Sequence, residues 1–190
     1  MSDQEDPQNP SEESRPDDED SSPERQQVSV SNVTARVPEN IGNGVFSTGA
    51  IVMSAQHEVL IDFVQRIGQP SQIVSRIVLP RAVATQFIAA LEENLSRFEQ
   101  QFGPLPQVPK PDPGQPRPSI QEVYDNIKLP DDQLSGSYAN AVLIRHSAAE
   151  FSFDFVTNFF PNSAVSSRVF LTTHHVRPLL DSLRNNLGSQ

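Results

Sequence analysis

The chain contains no cysteine and no tryptophan, and it has only two tyrosines and two methionines. Without cysteine there is no disulfide, no thiolate nucleophile and no cysteine metal site. Apolar runs such as AVLI at residues 141–144 fall far short of the roughly 20 residues of a membrane helix. The N-terminal sequence MSDQEDPQNP is acidic and polar, unlike a secretory signal. We therefore expect a cytoplasmic protein without membrane association.

The negative charge is concentrated at the N-terminus. Residues 1–25 carry ten acidic side chains and two arginines, so they hold −8 of the net charge of −10 and leave −2 for the rest of the chain. A segment so poor in apolar side chains cannot offset the entropy lost on ordering, and we expect residues 1–27 to be disordered. The tail either improves solubility or mimics nucleic acid and competes for a basic surface.

The rest of the chain contains an ungapped internal duplication. Residues 46–95 align with residues 138–187 at a constant offset of 92 (138 − 46). Identical residues recur in register, among them the pairs Glu58/Glu150, Asp62/Asp154, Phe63/Phe155, Ser75/Ser167, Arg76/Arg168, Leu91/Leu183 and Asn94/Asn186. Chance rarely keeps so many identities in register, so we infer two copies of one structural unit.

A proline-rich segment separates the two copies. The sequence GPLPQVPKPDPGQPRP, which begins at Gly103, contains seven of the 17 prolines. Proline is excluded from helix interiors and central strands, so we expect an extended polyproline II linker over residues 104–119. At about 3.1 Å per residue it would span roughly 45 Å. It is either a spacer that starts the second copy at the far edge of the first, or a docking ligand for an aromatic groove.

Each copy is predicted to form three strands followed by a helix. Apolar side chains alternate along residues 59–64, which is the period of a strand. The predicted strands cover residues 45–54, 58–67 and 71–79 in the first copy and residues 137–146, 150–160 and 163–171 in the second. Turn sequences such as GQP at residues 68–70 separate them.

The predicted helices follow from apolar stripes at helical spacing. The first helix is expected over residues 81–102, where Gly103 ends it, and its stripe is Ala84, Ile88, Leu91, Leu95, Phe98 and Phe102. The second helix is expected to begin at a threonine cap, Thr172 or Thr173, and its stripe is Val176, Leu179, Leu180, Leu183 and Leu187. Pro178 predicts a kink or a late start of that helix.

An acidic residue interrupts the phenylalanine-rich strand AEFSFDFV at residues 149–156. If the hairpin turns centre on Gln69 and Pro161, Asp62 lies directly opposite Arg76, and Asp154 lies directly opposite Arg168. Such cross-strand pairs contribute roughly 0.2–1 kcal/mol when partly exposed, whereas removing one partner of a buried pair costs roughly 3–5 kcal/mol.

Two interpretations of these structural cross-strand pairs remain open. In the first, the pairs fix the strand register on a half-buried sheet face where the two copies meet. In the second, Arg76 and Arg168 bind a ligand while their aspartates hold them in place. In both, Asp154 points away from the phenylalanines at 151, 153 and 155, which face the helix.

The same residues resemble a known family. The sequences HSAAEFSFDF at 146–155 and SRV at 167–169, the threonine-started helix with His175, and DFV at 62–64, SRIVL at 75–79 and ALEENL at 90–95 are similar to the short bacterial family DUF3467, a domain of unknown function. The resemblance covers both copies and implies no particular activity. Members that carry a single copy would be homodimers, which implies that the duplication builds this pair within one chain. Ser54 and Val83 stand where the second copy has His146 and His175.

We therefore expect an α+β fold in which a duplicated strand–strand–strand–helix unit, (βββα)×2, forms an intrachain pseudo-dimer. Its sheets are antiparallel, and a helix packs on each. The predicted organisation is an acidic tail (1–27), a first copy with its leader segment (28–103), a proline-rich linker (104–119) and a second copy with its leader segment (120–190). The expected state is a monomer.

The motifs of catalysis are missing from the sequence. There is no glycine-rich phosphate loop, no zincin motif and no nucleophile elbow, so we expect no enzyme activity and no cofactor. His146, His174 and His175 suggest a zinc site, but adjacent histidines on a helix point about 100° apart and rarely share a metal. We predict no metal site and retain Arg145, His146, His175 and Arg177 as candidate binding residues.

Two functions are compatible with these observations. Apolar sheet faces, a disordered tail and a proline-rich connector favour a non-catalytic protein-binding or assembly module with an unidentified protein partner. The alternative is a transcription-associated protein that binds single-stranded DNA or RNA and is autoinhibited by its acidic tail. Burial of Arg76 and Arg168 would favour the first function, and their clustering with Arg145 and Arg177 on one face would favour the second.

Overall fold

The computed structural model describes residues 27–30, 33–106, 118–159 and 161–188. The predicted acidic tail, apart from Gln27, and residues 107–117 of the predicted linker lie outside these ranges. Within them the chain forms two β-sheets and four α-helices. The α+β class is therefore confirmed.

The elements follow one another in two similar series. The strands are β1 (Gln27–Val30), β2 (Val33–Arg36), β3 (Val45–Ser47), β4 (Gly49–Ser54), β5 (Glu58–Gln65), β6 (Ser71–Pro80), β7 (Ile127–Lys128), β8 (Ser137–Tyr138), β9 (Ala141–His146), β10 (Glu150–Phe159) and β11 (Asn162–Thr172). The helices are α1 (Glu39–Gly42), α2 (Arg81–Phe102), α3 (Ile120–Asp125) and α4 (Val176–Gly188). Short 3-10 turns cover Asp131–Gln133 and Thr173–His175.

The strands assemble into a six-stranded and a five-stranded sheet. The six-stranded sheet has the order β1-β2-β11-β10-β9, and β3 adds to β11. The five-stranded sheet has the order β4-β5-β6-β7, and β8 adds to β6. The hairpin strands pair antiparallel, as predicted, whereas β2 and β3 run parallel to β11, and β7 and β8 run parallel to β6.

Each sheet is completed by the segment that precedes the strands of the other sheet. β2 and β3 come before β4, β5 and β6 in the chain but pair with β11. β7 and β8 come before β9, β10 and β11 but pair with β6. Arg36 pairs with Ala164, and Lys128 pairs with Gln72. Lys128 lies 92 positions after Arg36 (128 − 36), and Ala164 lies 92 positions after Gln72 (164 − 72), so the two pairings join equivalent positions of the two copies. We call this arrangement the reciprocal exchange.

The predicted extent of the first strand in each copy is wrong. Residues 45–54 form β3 and β4, which belong to different sheets. The chain turns at Thr48, whose backbone N–H and hydroxyl both donate to the carbonyl of Val64, at 2.9 and 3.2 Å. These hydrogen bonds to a residue of β5 satisfy the backbone N–H outside a ladder, and they convert one predicted strand into a link between the two sheets.

The same break occurs in the second copy. Residues 137–146 form β8 and β9, again in different sheets. At the break, Asn140 donates its backbone N–H to the carbonyl of Val156 at 2.9 Å, and its side-chain oxygen accepts the N–H of Asn158 at 2.7 Å. A polar residue with its own hydrogen bonds therefore marks both breaks.

Helix α2 has the predicted limits, whereas α4 begins at Val176, after the predicted cap residues Thr172 and Thr173. α2 ends at Gly103, which has a φ of +85°. A 3-10 turn follows β11, so Pro178 lies in the first turn of α4, where its missing N–H costs nothing. The predicted late start is correct. The predicted threonine cap is wrong, because Thr172 ends β11 and its side chain makes no capping hydrogen bond.

A core rich in phenylalanine joins both copies. The rings of Phe151, Phe153 and Phe155 face α2, the helix of the first copy, and Phe87 of α2 lies 5.5 Å from Phe153 and 6.0 Å from Phe155. α2 also packs on β9, and α4 packs on β4. Each long helix therefore contacts the edge strand that belongs to the other copy. In the described part of the chain, no helix has both the length and the apolar character needed to cross a membrane.

Candidate functional site: a central groove

A buried aspartate faces an arginine in each hairpin. Asp62 lies opposite Arg76 and Asp154 lies opposite Arg168 in the two ladders, as the positions of the turns predict. A bulge one residue after each aspartate shifts the remaining pairs toward the turn. Because the bulge lies beyond the ion pairs, it leaves their register unchanged.

The first pair is bidentate and has a third partner. Arg76 donates from Nε to Oδ1 of Asp62 at 2.8 Å and from Nη2 to Oδ2 at 2.7 Å. Asp62 is fully buried, and the Arg76 side chain is only 12% exposed. The hydroxyl of Tyr124 in α3 donates to the same carboxylate, and Nη1 of Arg76 donates to the carbonyl of Leu134 at 3.2 Å. The leader segment of the second copy therefore completes the ion pair of the first.

The second pair repeats this geometry with a different third partner. Arg168 donates from Nε to Oδ1 of Asp154 at 2.6 Å and from Nη2 to Oδ2 at 3.0 Å. Its Nη1 donates to the carbonyl of Gly42 at 3.0 Å. In place of a tyrosine, Arg145 on β9 donates to Oδ2 of Asp154 at 2.7 Å. Candidate residue Arg145, whose side chain is 44% exposed, thus binds a buried carboxylate that it shares with Arg168.

Both central arginines remain charged, and each is paired with a buried aspartate. Hydrogen bonding to Asp62 raises the pKa of Arg76, and hydrogen bonding to Asp154 raises the pKa of Arg168. Burial, followed by the hydrogen bond to Asp62, raises the pKa of Tyr124, which stays protonated as a donor. Bidentate pairs of this kind are strong and directional.

Two glycines let the leader segments cross these arginines. Gly44 and Gly136 have φ values of +63° and +73°. A Cβ on Gly44 would lie 2.8 Å from Cγ of Arg168, and a Cβ on Gly136 would lie 2.9 Å from Cγ of Arg76. Only glycine combines this backbone conformation with so close an approach. The crossing lets the carbonyl of Gly42 accept a hydrogen bond from the guanidinium group of Arg168, and the carbonyl of Leu134 accept one from that of Arg76.

Inspection of the sequence alone missed this crossing, although a signal for it exists. Gly44 and Gly136 are 92 residues apart, and so are Pro38 and Pro130. The ungapped alignment of identical residues indicates the duplication only from residue 46 onward, two residues after the first glycine. Glycine and proline that recur at a fixed offset indicate that the backbone path is repeated. These two pairs therefore indicate that the duplication includes the leader segments.

A groove lies between these two crossings. Its volume is about 270 Å³, and we call it the central groove. It is lined by Asn40, Ile41, Gly44, Val45, Val74, Ser75, Asp132, Gln133, Ser137, Ser166, Ser167 and Arg168. Within it, Ser75 and Ser167 share a hydrogen bond of 2.9 Å between their hydroxyl oxygens. The groove therefore spans both sheets, since β6 and β11 each supply part of its lining.

The two sides of the central groove differ in chemistry. Ile41, Val45 and Val74 form an apolar side that comes from the first copy. The residues 92 positions later are Gln133, Ser137 and Ser166, and they form a polar side. The same backbone positions thus carry aliphatic groups in one copy and amide or hydroxyl groups in the other. The central groove is amphipathic across its width.

The strands that line the central groove each have a short, largely buried stretch without a strand partner on one edge. β7 pairs with β6 at residues 71–72 and β8 at residues 77–78. On the other sheet, β2 pairs with β11 at residue 164 and β3 at residues 169–171. In the described ranges, residues 73–76 and 165–168 consequently have no strand partner on that edge.

Of the predicted binding residues, Arg177 and the histidines lie away from the central groove. Arg177 donates to Glu99 of α2 at 2.9 Å. The ring of His175 lies 4.5 Å from the ring of His174 and is tilted by 51° to it, and burial, together with the charges of His174 and Arg66, lowers the pKa of His175. In the described part of the chain no hydrogen bond, ion pair or ring contact joins Arg145, His146, His175 and Arg177 to one another, and no group of three or more His, Cys, Asp or Glu could hold a metal.

His146 is part of an aromatic cluster. Its ring lies 5.1 Å from Phe151, 5.7 Å from Phe98 and 6.2 Å from Phe102. Its Nδ1 is buried and has no hydrogen-bond partner in the described part of the chain. Burial, followed by the charge of Arg97, lowers the pKa of this imidazole. We interpret His146 as a packing residue.

Exposed aromatic rings lie at the tip of the second hairpin. Tyr138 and Phe159 are 43% and 57% exposed, and their rings are parallel within 3° at a centroid distance of 6.2 Å. Phe46 and Ile67 occupy the positions 92 residues earlier and are also exposed. Each copy therefore presents a pair of apolar side chains to solvent.

Comparison with known proteins identifies a family but no function. The model of the family described as protein of unknown function (DUF3467) matches residues 4–107 and again residues 110–189, as two tandem copies. No curated protein matches the chain.

Proposed function

The chain belongs to the DUF3467 family and consists of two tandem copies of it, and we propose that it is a non-catalytic module that binds or assembles proteins. We further propose that the two copies form an intrachain pseudo-dimer of β-β-β-α units, in which the reciprocal exchange locks the copies together. The function and the pseudo-dimer rest on separate observations.

The burial of two arginines carries the functional proposal. The side chains of Arg76 and Arg168 are only 12% and 9% exposed, and each is neutralised by a fully buried aspartate. Arginines committed in this way are not free to contact phosphates, which nucleic-acid binding requires. Removal of either partner would leave a buried charge, so these residues act as structural elements.

Contacts between equivalent residues support the pseudo-dimer. In a closed twofold dimer, a residue on the axis contacts its own copy in the other subunit. Three contacts here join residues 92 apart: Ser75 with Ser167, Phe63 with Phe155, and Glu92 with Arg184. Such contacts are expected where a pseudo-twofold axis passes through the central groove and the core.

The surface supports a protein partner. The central groove combines an apolar and a polar side, and exposed apolar pairs occur at equivalent places in both copies. Apolar surface that recurs at equivalent positions is typical of interaction sites. The partner would bind at the central groove, where both copies contribute.

Site-specific photocrosslinking in living cells tests this function. A photoreactive benzophenone amino acid replaces Ile41 on the side of the central groove or, as a control, Gln101, which is exposed on α2. We expect one recurrent protein to be crosslinked from position 41 and not from position 101. Identical products from both positions, or none from position 41, would contradict the proposed function.

The ring pair Tyr138–Phe159 favours a second candidate, single-stranded nucleic-acid binding. Exposed aromatic rings offer faces on which bases stack, and these two rings are parallel and exposed. Fluorescence polarisation with a labelled oligonucleotide, on residues 26–190 and across a salt series, tests it. Binding that weakens steeply with salt and is lost in Phe159→Ala would support this candidate, and an absence of binding at low salt would exclude it.

A further inference from the structure

We propose that Arg66, His174 and His175 bind a phosphate group that carries two negative charges, and we call this place the phosphate site. It lies where the link between β3 and β4 meets the end of β11. None of the three residues lines the central groove. The phosphate site therefore goes beyond the function proposed above and does not depend on it.

The backbone brings the three residues together from both copies. Arg66 follows β5, and its backbone N–H donates to the hydroxyl of Thr48 at 2.9 Å. Thr48 comes directly after β3, whose last residue, Ser47, pairs with Leu171 of β11. β11 ends one residue later, and the 3-10 turn that carries both histidines follows it. Two paired strands thus deliver Arg66 from the first copy and the histidines from the second.

The side chains also act on one another. The rings of the two histidines lie 4.5 Å apart. The guanidinium group of Arg66 lies beside Gly49, where an added Cβ would be 2.9 Å from Nη1. After burial and the charge of His174, the charge of Arg66 contributes to lowering the pKa of His175. Three side chains that can each carry a positive charge therefore share one place on the surface.

No acidic side chain balances this charge in the part of the chain that the structure describes. None of the three residues has an ion pair there, although Arg66 is exposed. Glu150 lies opposite Thr172 in the ladder, but its carboxylate accepts the hydroxyl of Ser147 at 2.6 Å. The exposed arginines on α4, by contrast, each contact a glutamate of α2. A bound anion would supply the missing counter-charge.

The number of donor groups favours a phosphate over a carboxylate. A single guanidinium fork already occupies both carboxylate oxygens at Asp62. The phosphate site offers donors on three separate side chains, and a phosphate monoester has three acceptor oxygens and a charge of about −1.5 to −2 near pH 7. A bound dianion would also stabilise the protonated imidazoles and so raise the pKa of His175.

The equivalent place in the other half of the molecule lacks these groups. The duplication puts Asn158, Ala82 and Val83 at the positions that correspond to Arg66, His174 and His175. All three are uncharged. They also supply neutral substitutions that already occur at the same backbone positions of this chain.

Titration of the full chain with inorganic phosphate tests the site, followed by NMR spectra of the histidine side chains. We expect saturable shifts at His174 and His175 but not at His57, which is exposed between β4 and β5. Acetate, a carboxylate, should bind at least fivefold more weakly. Arg66→Asn, which copies the residue of the other copy, should weaken phosphate binding about fivefold.

Sulfate separates the histidines from the arginine, because it keeps two negative charges while histidine titrates. Affinity for sulfate should rise as the pH falls through the histidine range, since protonated imidazoles attract the anion. His175→Val should reduce this rise. An affinity for sulfate that does not change with pH in the unaltered chain would remove the histidines from the site and overturn the proposal.

Arg36→Asn is the matched control for Arg66→Asn. Arg36 is exposed on β2 and has no ion pair among the described residues, so its removal changes the net charge equally and should leave the affinity unchanged. Each of these variants alters a side chain that is exposed or half-buried, and circular dichroism verifies that it is folded. Equal weakening by the two variants would overturn the proposal, because the attraction would then be non-specific.

Free phosphate and a phosphorylated side chain of a protein are two sources of the same group. Acetylated phosphoserine amide is the probe for the second source, and its unphosphorylated form is the control. Tighter binding of this probe than of inorganic phosphate would support the site and assign it to a phosphorylated protein, whereas weaker binding would support it as a site for free phosphate. If neither binds, or if acetate binds as tightly as phosphate, the phosphate site is refuted, and the module function, tested from position 41, is unaffected.

Discussion

Ser75 and Ser167 lie 92 residues apart in the chain and share a hydrogen bond of 2.9 Å. The two serines are equivalent positions of the duplication, so the contact joins a position to its own copy. Glu92 and Arg184 do the same on the helices, at 2.7 Å. In a homodimer of identical copies, the residue at this helix position would face the same residue of the other subunit, and the two would carry the same charge. Because the two copies differ at this position, the contact is an exposed ion pair, worth roughly 0.2–1 kcal/mol.

We expect Arg168→Ala to destabilise the protein far more than Arg184→Ala. Arg168 is 9% exposed and holds the fully buried Asp154, whereas Arg184 is 49% exposed. Loss of a buried partner costs roughly 3–5 kcal/mol, and loss of an exposed one costs less than about 1 kcal/mol. Arg145 remains on Asp154, so the cost of Arg168→Ala should lie near the lower value. Urea denaturation of both variants measures the difference, and equal free energies of unfolding would refute a structural role for the pair.

We expect Gly44→Ala and Gly136→Ala to destabilise the protein, each by roughly 1–3 kcal/mol, because a Cβ is strained at positive φ. The added methyl group would also press on the stems of Arg168 and Arg76. Gly68→Ala is the matched control, because its Cβ would meet nothing within 4 Å and its φ is not in the left-handed region. Thermal unfolding compares the three variants. A melting temperature of Gly44→Ala equal to that of Gly68→Ala would contradict the crossing geometry.

We expect the stability of the protein to fall as the pH decreases below about 6.5. Burial lowers the pKa of His146 and of His175 below the ordinary value of 6.5. In this range the unfolded state therefore binds more protons than the folded state. The stabilisation is complete above the unfolded pKa and is lost as the pH falls toward the folded pKa.

The histidine dependence is measured by urea denaturation at about pH 7.5 and about pH 5.5, on either side of the ordinary histidine pKa. His146→Phe keeps a ring beside Phe151 and should reduce the difference between the two pH values. His57→Gln changes an exposed histidine and serves as the control. If both variants retain the full pH dependence, His146 does not contribute to it.

We expect residues 26–190 to form a folded monomer. We expect that residues 26–103 alone do not form a stable, folded monomer. In the shorter fragment β6 would lose β7 and β8, and Asp62 would lose the hydroxyl of Tyr124. Light scattering and circular dichroism measure mass and folding, and addition of residues 118–190 should restore the fold. A stable, monomeric fragment of residues 26–103 would contradict the intrachain pseudo-dimer.

The hairpin registers and the long helix were predictable because they depend on local information. Apolar alternation and turn residues place Asp62 opposite Arg76, and an apolar stripe with a terminal glycine delimits α2. The break at Thr48 was not predictable from these patterns. It depends on hydrogen bonds to Val64, a residue on another strand, while residues 45–54 show an ordinary strand pattern.

The candidate site was predictable only in part. The sequence indicated the two ion pairs, but it placed Arg145 and Arg177 in one candidate group, although Arg145 bonds Asp154 and Arg177 bonds Glu99. The central groove could not be located, because its lining comes from four short segments that are separated in the chain. The repeated glycines at 44 and 136 were a signal that could have extended the repeat.

The sequence by itself determined the duplication, the hairpins and the ion pair in each of them, because side-chain periodicity and short turns act over a few residues. Only the tertiary structure decided which leader segment completes which sheet. The local sequence pattern is compatible with two structures: one strand that covers residues 45–54, or two strands, β3 and β4, of which β3 pairs with β11. The choice depends on contacts between residues about 126 positions apart, such as Arg168 with the carbonyl of Gly42. These contacts form only when both copies are folded together, and they create the central groove.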